Sequence, residues 1–462
     1  MLPDLISPDS VRKPEDRLQL VWDIINLSPL SKLETNIMES KQKWKFTQVF
    51  GDKFSADKVA NEDVISALSF DKSGNFLAVG DRAGRLILFQ RNLHTKSKTP
   101  FNEFIYLTEI QSHFKEFDCL QSVDIDEKIN CIEWINQPNE NMMILTTNDK
   151  TIKLWKVSNK IVKKSEKTNK PPLSVQNLKM PKLKTIEQAY CPSLKRTFPN
   201  LHGFHIHSLS LSQDNSSFIS SDDLSVFAWD LEVLKHTFAL VNIKPPSMNE
   251  LTEVITTVTY SKNNDSMFAM GTSKGFIKIY DTRESSKMLT GGTVFEDENS
   301  KKNKNLFTDI ISSIADVKFM QDQNQIISRD YLTTKVWDTR KSKEPLKCIK
   351  LYEPLNSKLY EVYEKDHIFD KFNIGLSGDD KSFTTGIYNN YFHIVDIATG
   401  KNTQFELNFN KKTISKAIPP NYFENLGPNF DFTKKVIKTA WNPVHNCIVL
   451  CSLNCLFIYN AI

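Results

Sequence analysis

Glycine is scarce in this 462-residue chain, with only 14. Loops that wrap nucleotide phosphates depend on glycine, and neither a Walker loop nor a dinucleotide fingerprint occurs; a His-Glu-x-x-His metal motif is absent as well. The seven cysteines are an odd number without framework spacing, which fits reduced thiols rather than a disulfide scaffold. No apolar run approaches the ~20 residues that a membrane helix needs. Charge of one sign is not in excess either. With 59 basic and 55 acidic residues the net charge is +4, which excludes the uniform basicity of a nucleic-acid coat. Pro3, Asp4 and Asp9 lie where a secretory signal would carry its basic and apolar regions. These absences predict a cytoplasmic or nuclear chain. Apolar residues at 40% and charged residues at 25% are enough to bury a real core. The length suits two or three ordinary domains or one large repeat architecture.

Internal repetition decides between them. Seven segments read as a strand, a polar turn and a second strand with period-2 alternation: 75–90, 142–157, 217–232, 267–282, 325–340, 382–397 and 447–462. Each follows a further strand, such as VISALSF, INCIEWI, VITTVTY or VIKTAWN. Seven copies of strand–strand–turn–strand predict an all-β, seven-bladed propeller over 44–462. The landmarks Phe89, Trp155, Trp229, Tyr280, Trp337, Val395 and Tyr459 are 51 to 74 residues apart. A blade needs only ~40–45, so the excess is insertion. The longest insertion, within 157–204, is lysine-rich and is expected to project from the body as an arm. The last hairpin runs to the end of the sequence, leaving no residues for an outer strand. WKFTQVF (44–50) alternates without a partner of its own, and is expected to complete the last blade and close the ring. Residues 1–43 form an N-terminal extension. Within it Leu18, Val21, Trp22 and Ile25 have helical spacing, which predicts a short amphipathic helix over 15–27.

Catalytic chemistry finds little support. GTSKG (271–275) matches a nucleophile-elbow pattern, but FIKIYD follows where a helix is required, so Ser273 is read as a turn residue. His205 and His207, at i and i+2, lack a third metal ligand nearby and read as satisfied strand histidines. Cys447, Cys451 and Cys455 recur every four residues, a spacing of ~13 Å along a strand, and read as buried structural thiols. The lysines of 150–196 lack the interleaved aromatics that stacking on bases needs. No metal, cofactor, nucleic acid or membrane is therefore expected as a ligand.

Two segments are more specific than the repeat. EFDCLQSVDIDEKIN (116–130) and NLHGFHIHSLSLSQD (200–214) resemble the signature segments of the WD-repeat B-type regulatory subunits of protein phosphatase 2A. DRAGRLILFQ, SDDLSVFAWDLE, KPPSMNELTEVIT, SRDYLTTKVWD, YEKDHIFDKF and KKVIKTAWNP extend the resemblance over roughly 44–460. The chain departs from the family's pattern at Cys119, at Gly203-Phe204 and throughout 1–43. The resemblance implies a non-catalytic subunit. It would bind a helical-repeat scaffold, join the catalytic phosphatase subunit, and select phosphoprotein substrates. Two other readings are a phosphoinositide-binding propeller, for which no Arg-Arg pair is present, and a WD-repeat scaffold of another complex.

Propeller geometry then places the surfaces. With strands a to d counted outward from the axis, b–c turns and d–a connections share one rim, and a–b and c–d connections share the other. Asp222 and Asp223 belong to the b–c turn of blade 3, Glu250, Leu251 and Glu253 to the connection into blade 4, and Tyr363, Glu364 and Asp366 to that into blade 6. One acidic, partly apolar rim is thus expected to meet basic substrate segments. Asp149 and Asp330 are read instead as turn caps. The arm leaves from the other rim, and Lys160, Lys163 and Lys164 on it are expected to reach the scaffold. Phe117 and Asp118, in the first signature segment, are assigned to the scaffold as well.

Overall fold

Alternating strands joined by tight turns must bury both faces of each small sheet, and a ring of sheets does so. The computed structural model describes residues 43–51, 59–92, 103–119, 122–136, 141–165, 183–233, 236–283, 292–297, 307–322, 324–407 and 431–462. The amphipathic stretch at 15–27 and the insertion residues 166–182 lie outside them.

Trp44–Ile462 forms seven four-stranded antiparallel sheets. Blade 1 contains Ile65–Phe70, Phe76–Asp81, Arg85–Arg91 and Phe104–Gln111. Blade 2 contains Cys131–Ile135, Met142–Thr147, Ile152–Ser165 and Leu183–Phe198. Blade 3 contains Ser208–Leu211, Ser217–Ser221, Ser225–Asp230 and Thr237–Asn242. Blades 4 to 7 open with the inner strands Ile255–Tyr260, Asp316–Phe319, Ile374–Leu376 and Val436–Trp441.

The last blade takes its outer strand from the start of the propeller. Trp44–Phe50 pairs antiparallel with Cys455–Ala461, matching Trp44 to Ala461 and Phe50 to Leu456. Thr47 donates from Oγ1 to the Ile458 carbonyl at 3.0 Å, and the Trp44 and Trp441 rings meet edge to face at 5.3 Å. Seven hydrophobic clusters each draw on two consecutive blades. One of them joins Leu77, Val79 and Phe89 of blade 1 to Val449, Leu456 and Ile458 of blade 7, so the ring is continuous. Alternation disappears in strands such as Ile255–Tyr260 and Cys447–Ser452, which are buried at every position because neighbouring blades cover both faces. Close approach also explains one of the few glycines. A Cβ on Gly386 would lie 1.8 Å from the Val436 carbonyl oxygen of the next blade.

Polar side chains are carried into this core where a turn or a ladder needs them. His113, His207 and His393 are held well below the ordinary imidazole range, at about 3, about 3 and about 4. Burial is the main cause in each. The nearby charges of Lys153 for His113 and Lys371 for His207 add to it, while a hydrogen bond with Asn402 opposes it at His393. An unfolded histidine takes its proton near pH ~6.5 and these do not. The stability these histidines contribute should therefore be constant above pH ~6.5 and fall as pH drops toward 3–4, by up to ~1.4 kcal/mol per unit for each histidine. Thermal melting at pH 7.5 and 5 checks this. The acid decline should be shallower for His393→Gln, and an equally steep decline in that variant would refute the assignment.

Candidate protein-interaction site

The rim formed by b–c turns and d–a connections is knit by a repeated backbone contact. The turn of one blade accepts from, or donates to, a connection entering a blade. Ile129 N donates to Asp81 O, Ile206 N to Asp149 O, Ile255 N to Asp223 O and Tyr331 N to Ile311 O. Side chains at the turns therefore have fixed positions relative to the channel at the centre.

In blade 3 the two aspartates divide their tasks. Asp222 is 1% exposed. Its Oδ1 accepts from the amides of Leu224 and Ser225 at 2.8 and 2.6 Å. His202 donates from Nδ1 to Asp222 Oδ2 at 3.0 Å. The Ser220 hydroxyl, 2.7 Å from His202 Nε2, donates to that ring and accepts from Trp229 Nε1 at 2.7 Å. Burial pushes the Asp222 carboxyl up, but the His202 bond and the turn amides outweigh it and hold the group below the usual range. Asp222 is thus a buried turn cap, and it presents no surface. Asp223 keeps 36% of its side chain exposed and meets His207 Nε2 at 3.0 Å. Burial raises its carboxyl, the Lys371 charge opposes this, and Asp222 raises it further.

Asp330 caps its turn, accepting from Leu332 and Thr333 amides at 3.0 and 2.5 Å. Blade 2 departs from expectation. Asn148 accepts from the Lys150 and Thr151 amides at 3.1 and 2.7 Å. Asp149, the next residue, corresponds to Asp223 and instead accepts from Asn130 at 2.7 Å and pairs with His205 at 3.1 Å. The cap falls one residue earlier because the first turn position has the geometry for it, whichever of Asn or Asp occupies it. His205 and His207 precede their strand rather than lying within it, and each faces an aspartate. Among the described residues no cluster of three His, Cys, Asp or Glu side chains could hold a metal ion. Ser273 accepts from the Val254 amide at 3.1 Å, and the strand Ile277–Asp281 follows its turn. Cys447, Cys451 and Cys455 are buried.

Around the rim, Glu250 ends the short helical turn Met248–Glu250 and is exposed. Leu251 is half-buried, and Glu253 is tied to Lys278 at 2.5 Å with one carboxylate oxygen buried and unpartnered. Glu364 and Asp366 are exposed at the end of the helix Leu359–Glu364. Tyr363 and Phe369, 43% and 57% exposed, lie 6.4 Å apart, and Phe307 packs on Tyr363 at 5.6 Å. Asp370 is engaged by Lys435 at 2.5 Å and Tyr388 at 3.0 Å. Of the carboxylates expected on this rim, Glu250, Glu364 and Asp366 face solvent and Asp223 does so in part, with an aromatic ridge beside Glu364 and Asp366.

The arm emerges on the opposite rim. Its strands Ile152–Ser165 and Leu183–Phe198 stay in register well past the blade, from Ile152 with Phe198 to Ser165 with Leu183. Lys160 and Lys163 are exposed, as are Ile161 and Leu183 at 58% and 63%, and Lys164 pairs with Lys184 in the ladder. Phe117 and Asp118 are elsewhere. They lie in a separate hairpin, Glu116–Asp118 with Val123–Ile125, within the connection into blade 2. That puts them on the rim of the b–c turns, away from the three arm lysines. Phe114 and Phe117, each 59% exposed, and Val123 at 46% are exposed apolar residues of that connection.

A closed ring of seven four-stranded blades defines the class: a seven-bladed WD-repeat β-propeller. In fold it is similar to a chain in the crystal structure of Chaetomium thermophilum Raptor, with a TM-score of 0.54 at 13% identity, over 96% of this chain and 32% of that one. No family model matches the sequence. Curated relatives are far nearer. The B-type PP2A regulatory subunit of Schizosaccharomyces pombe is 38% identical over 92% of this chain and 100% of its own length. The PP2A 55 kDa regulatory subunit of Drosophila melanogaster is 36% identical over 94% and 90%, and the B beta isoform of Arabidopsis thaliana is 36% identical over 91% and 97%. The chain belongs to the 55 kDa, B-type regulatory subunit family of protein phosphatase 2A.

Proposed function

We propose that this chain is a non-catalytic regulatory subunit that holds the helical-repeat scaffold with its lysine-bearing arm and presents phosphoprotein substrates to the catalytic subunit from the opposite rim. The observation that carries this reading is the separation of the two surfaces. An arm and an acidic, aromatic rim on opposite faces let one partner be gripped while another is offered. Glu250, Glu364 and Asp366 attract basic segments, Leu251, Tyr363 and Phe369 supply apolar contact, and Asp223 adds charge nearer the axis. Catalysis then needs no group from this chain. A tethered substrate meets the phosphatase at an effective concentration that reaches ~mM. The compartment that suits its exposed free thiols, Cys119 and Cys348, is the cytosol or nucleus. Affinity purification of the tagged full chain from a lysate is expected to recover a phosphatase scaffold and a catalytic subunit together. Recovery of neither would overturn the reading.

A further inference from the structure

The centre of the acidic rim carries the opposite charge. Arg82 occupies the b–c turn of blade 1, next to the connection into that blade, whose Val64 carbonyl accepts from its amide. Lys128 comes one residue before Ile129, whose amide donates to Asp81 in that same turn. Lys371 lies in the connection into blade 6, two residues before Asn373, which donates from its amide to Ile437 O. Lys438 is the very next residue, on the inner strand of blade 7. Ring closure thus gathers four cations from blades 1, 2, 6 and 7 at one mouth of the channel. Arg82 bonds Asn61 through its guanidinium. Lys128, Lys371 and Lys438 have no ion pair or side-chain hydrogen bond among the described residues.

Three carboxylates lie at this end, Asp149 and Asp223, each engaged by a histidine, and Asp316, engaged by Lys318. Five cations, with Lys318 counted, against three anions leave an excess of positive charge. The other end of the channel is different. There a cavity of about 740 Å³ is lined by Lys72, Glu133 and Lys262 among others, so charges of both signs are interleaved. The upper lysines feel their crowding. Burial lowers Lys128, and Arg82 and Lys438 lower it further against the pull of Asp149. Burial likewise lowers Lys371, with Asp223 opposing and Lys438 and Lys128 adding. Beside them His207 Nδ1 is buried without a hydrogen-bond partner. Its other nitrogen meets Asp223, so Nδ1 is an open hydrogen-bonding position beside the cluster.

Unpaired like charges at close quarters lower the stability of a fold, and such a cluster is the arrangement a multiply charged anion completes. We infer that the channel mouth between Arg82, Lys128, Lys371 and Lys438 binds a phosphate group. The site follows from the fold alone. Only the source of the phosphate rests on the reading above. A phosphorylated residue of a substrate would seat its dianion at the centre while its basic flanks face Glu250, Glu364 and Asp366 around it. Such a phosphate is additional to the one removed by the catalytic subunit.

Thermal melting of the full chain without partners tests this. Inorganic phosphate is added against chloride at matched ionic strength, and a basic-flanked serine peptide is added with and without its phosphate. Phosphate is expected to raise the melting temperature saturably, and the phosphorylated peptide to bind at least tenfold more tightly than its unmodified twin. Lys371→Gln/Lys438→Gln should abolish both effects yet melt no lower than the native chain without ligand, because repulsion is relieved. Lys128→Gln alone, expected to weaken phosphate about tenfold, carries the test if the double variant does not fold. A shift from inorganic phosphate without discrimination between the peptides keeps the site and makes free phosphate its occupant. An equal phosphate shift in the variants, no saturable shift in the native chain, or a lower melting temperature of the unliganded variants would overturn the proposal. Because no scaffold is present, these outcomes are independent of whether the chain assembles with a phosphatase.

Discussion

Asp222→Ala is expected to destabilise the propeller by about 3–5 kcal/mol, whereas Asp223→Lys, which loses one contact and adds a charge beside Lys371, costs about 1–2 kcal/mol. The contrast between adjacent residues follows from what each touches. Removing the Asp222 carboxylate strands two turn amides and the buried His202, and breaks the chain of hydrogen bonds that ends at Trp229. Buried donors left without acceptors carry their full desolvation penalty. Asp223 loses one contact, with His207, at a position open to water. Its charge reversal should instead reduce dephosphorylation of substrates with basic flanks by roughly tenfold at low salt, and less at high salt, as expected for steering by a partly exposed charge. Melting curves of the two variants, with scaffold co-purification and dephosphorylation by the assembled enzyme, check both halves. A stable Asp222→Ala variant would show that the network is dispensable. An unfolded Asp223→Lys variant would show that the second aspartate is structural too.

Shortening the arm should have the larger effect on assembly. Joining Lys160 to Ala189 through Asn-Gly removes residues 161–188 but respects the ladder, since these two residues are register partners. The two-residue turn suits an antiparallel pair. Blade 2 keeps Val157 and Tyr190, which pack in the cluster between blades 1 and 2. The shortened chain is expected to melt near the native temperature and to lose scaffold binding by a hundredfold or more. Surface plasmon resonance against the scaffold measures this. Binding within threefold of native would move the scaffold contact to another surface, with the hairpin of Phe117 and Asp118 as the next to examine.

The repeat, the closing strand and the side from which the arm departs are legible in the sequence because each depends on local alternation and on strand count. Trp44–Phe50 announces itself as an unpaired alternating strand, and the ring demands one. The rim is legible only in outline. Asp222 and Asp223 look equivalent in sequence. What separates them is His202, which arrives from the connection before the blade and not from the turn itself. The turn cap of blade 2 is ambiguous in sequence because Asn148 and Asp149 are both good capping types, and only the backbone decides which faces inward. Phe117 and Asp118 do not share a face with the arm lysines, because a signature segment says nothing about which rim its hairpin occupies. Arg82, Lys128, Lys371 and Lys438 are ordinary as isolated basic residues. Nothing short of the closed ring brings blades 1 and 7 together.

The pairing of Trp44–Phe50 with Cys455–Ala461 also sets a timetable for synthesis. The first of these strands leaves the ribosome about 400 residues before its partner, a wait of roughly 20–80 s at ~5–20 residues per second. Throughout that interval Trp44 and Phe46, later among the most deeply buried aromatics, have no native place to go. Six blades can collapse as they appear, but the seventh cannot. The nascent chain must either be shielded by a chaperone or hold its leading strand in reserve until translation ends.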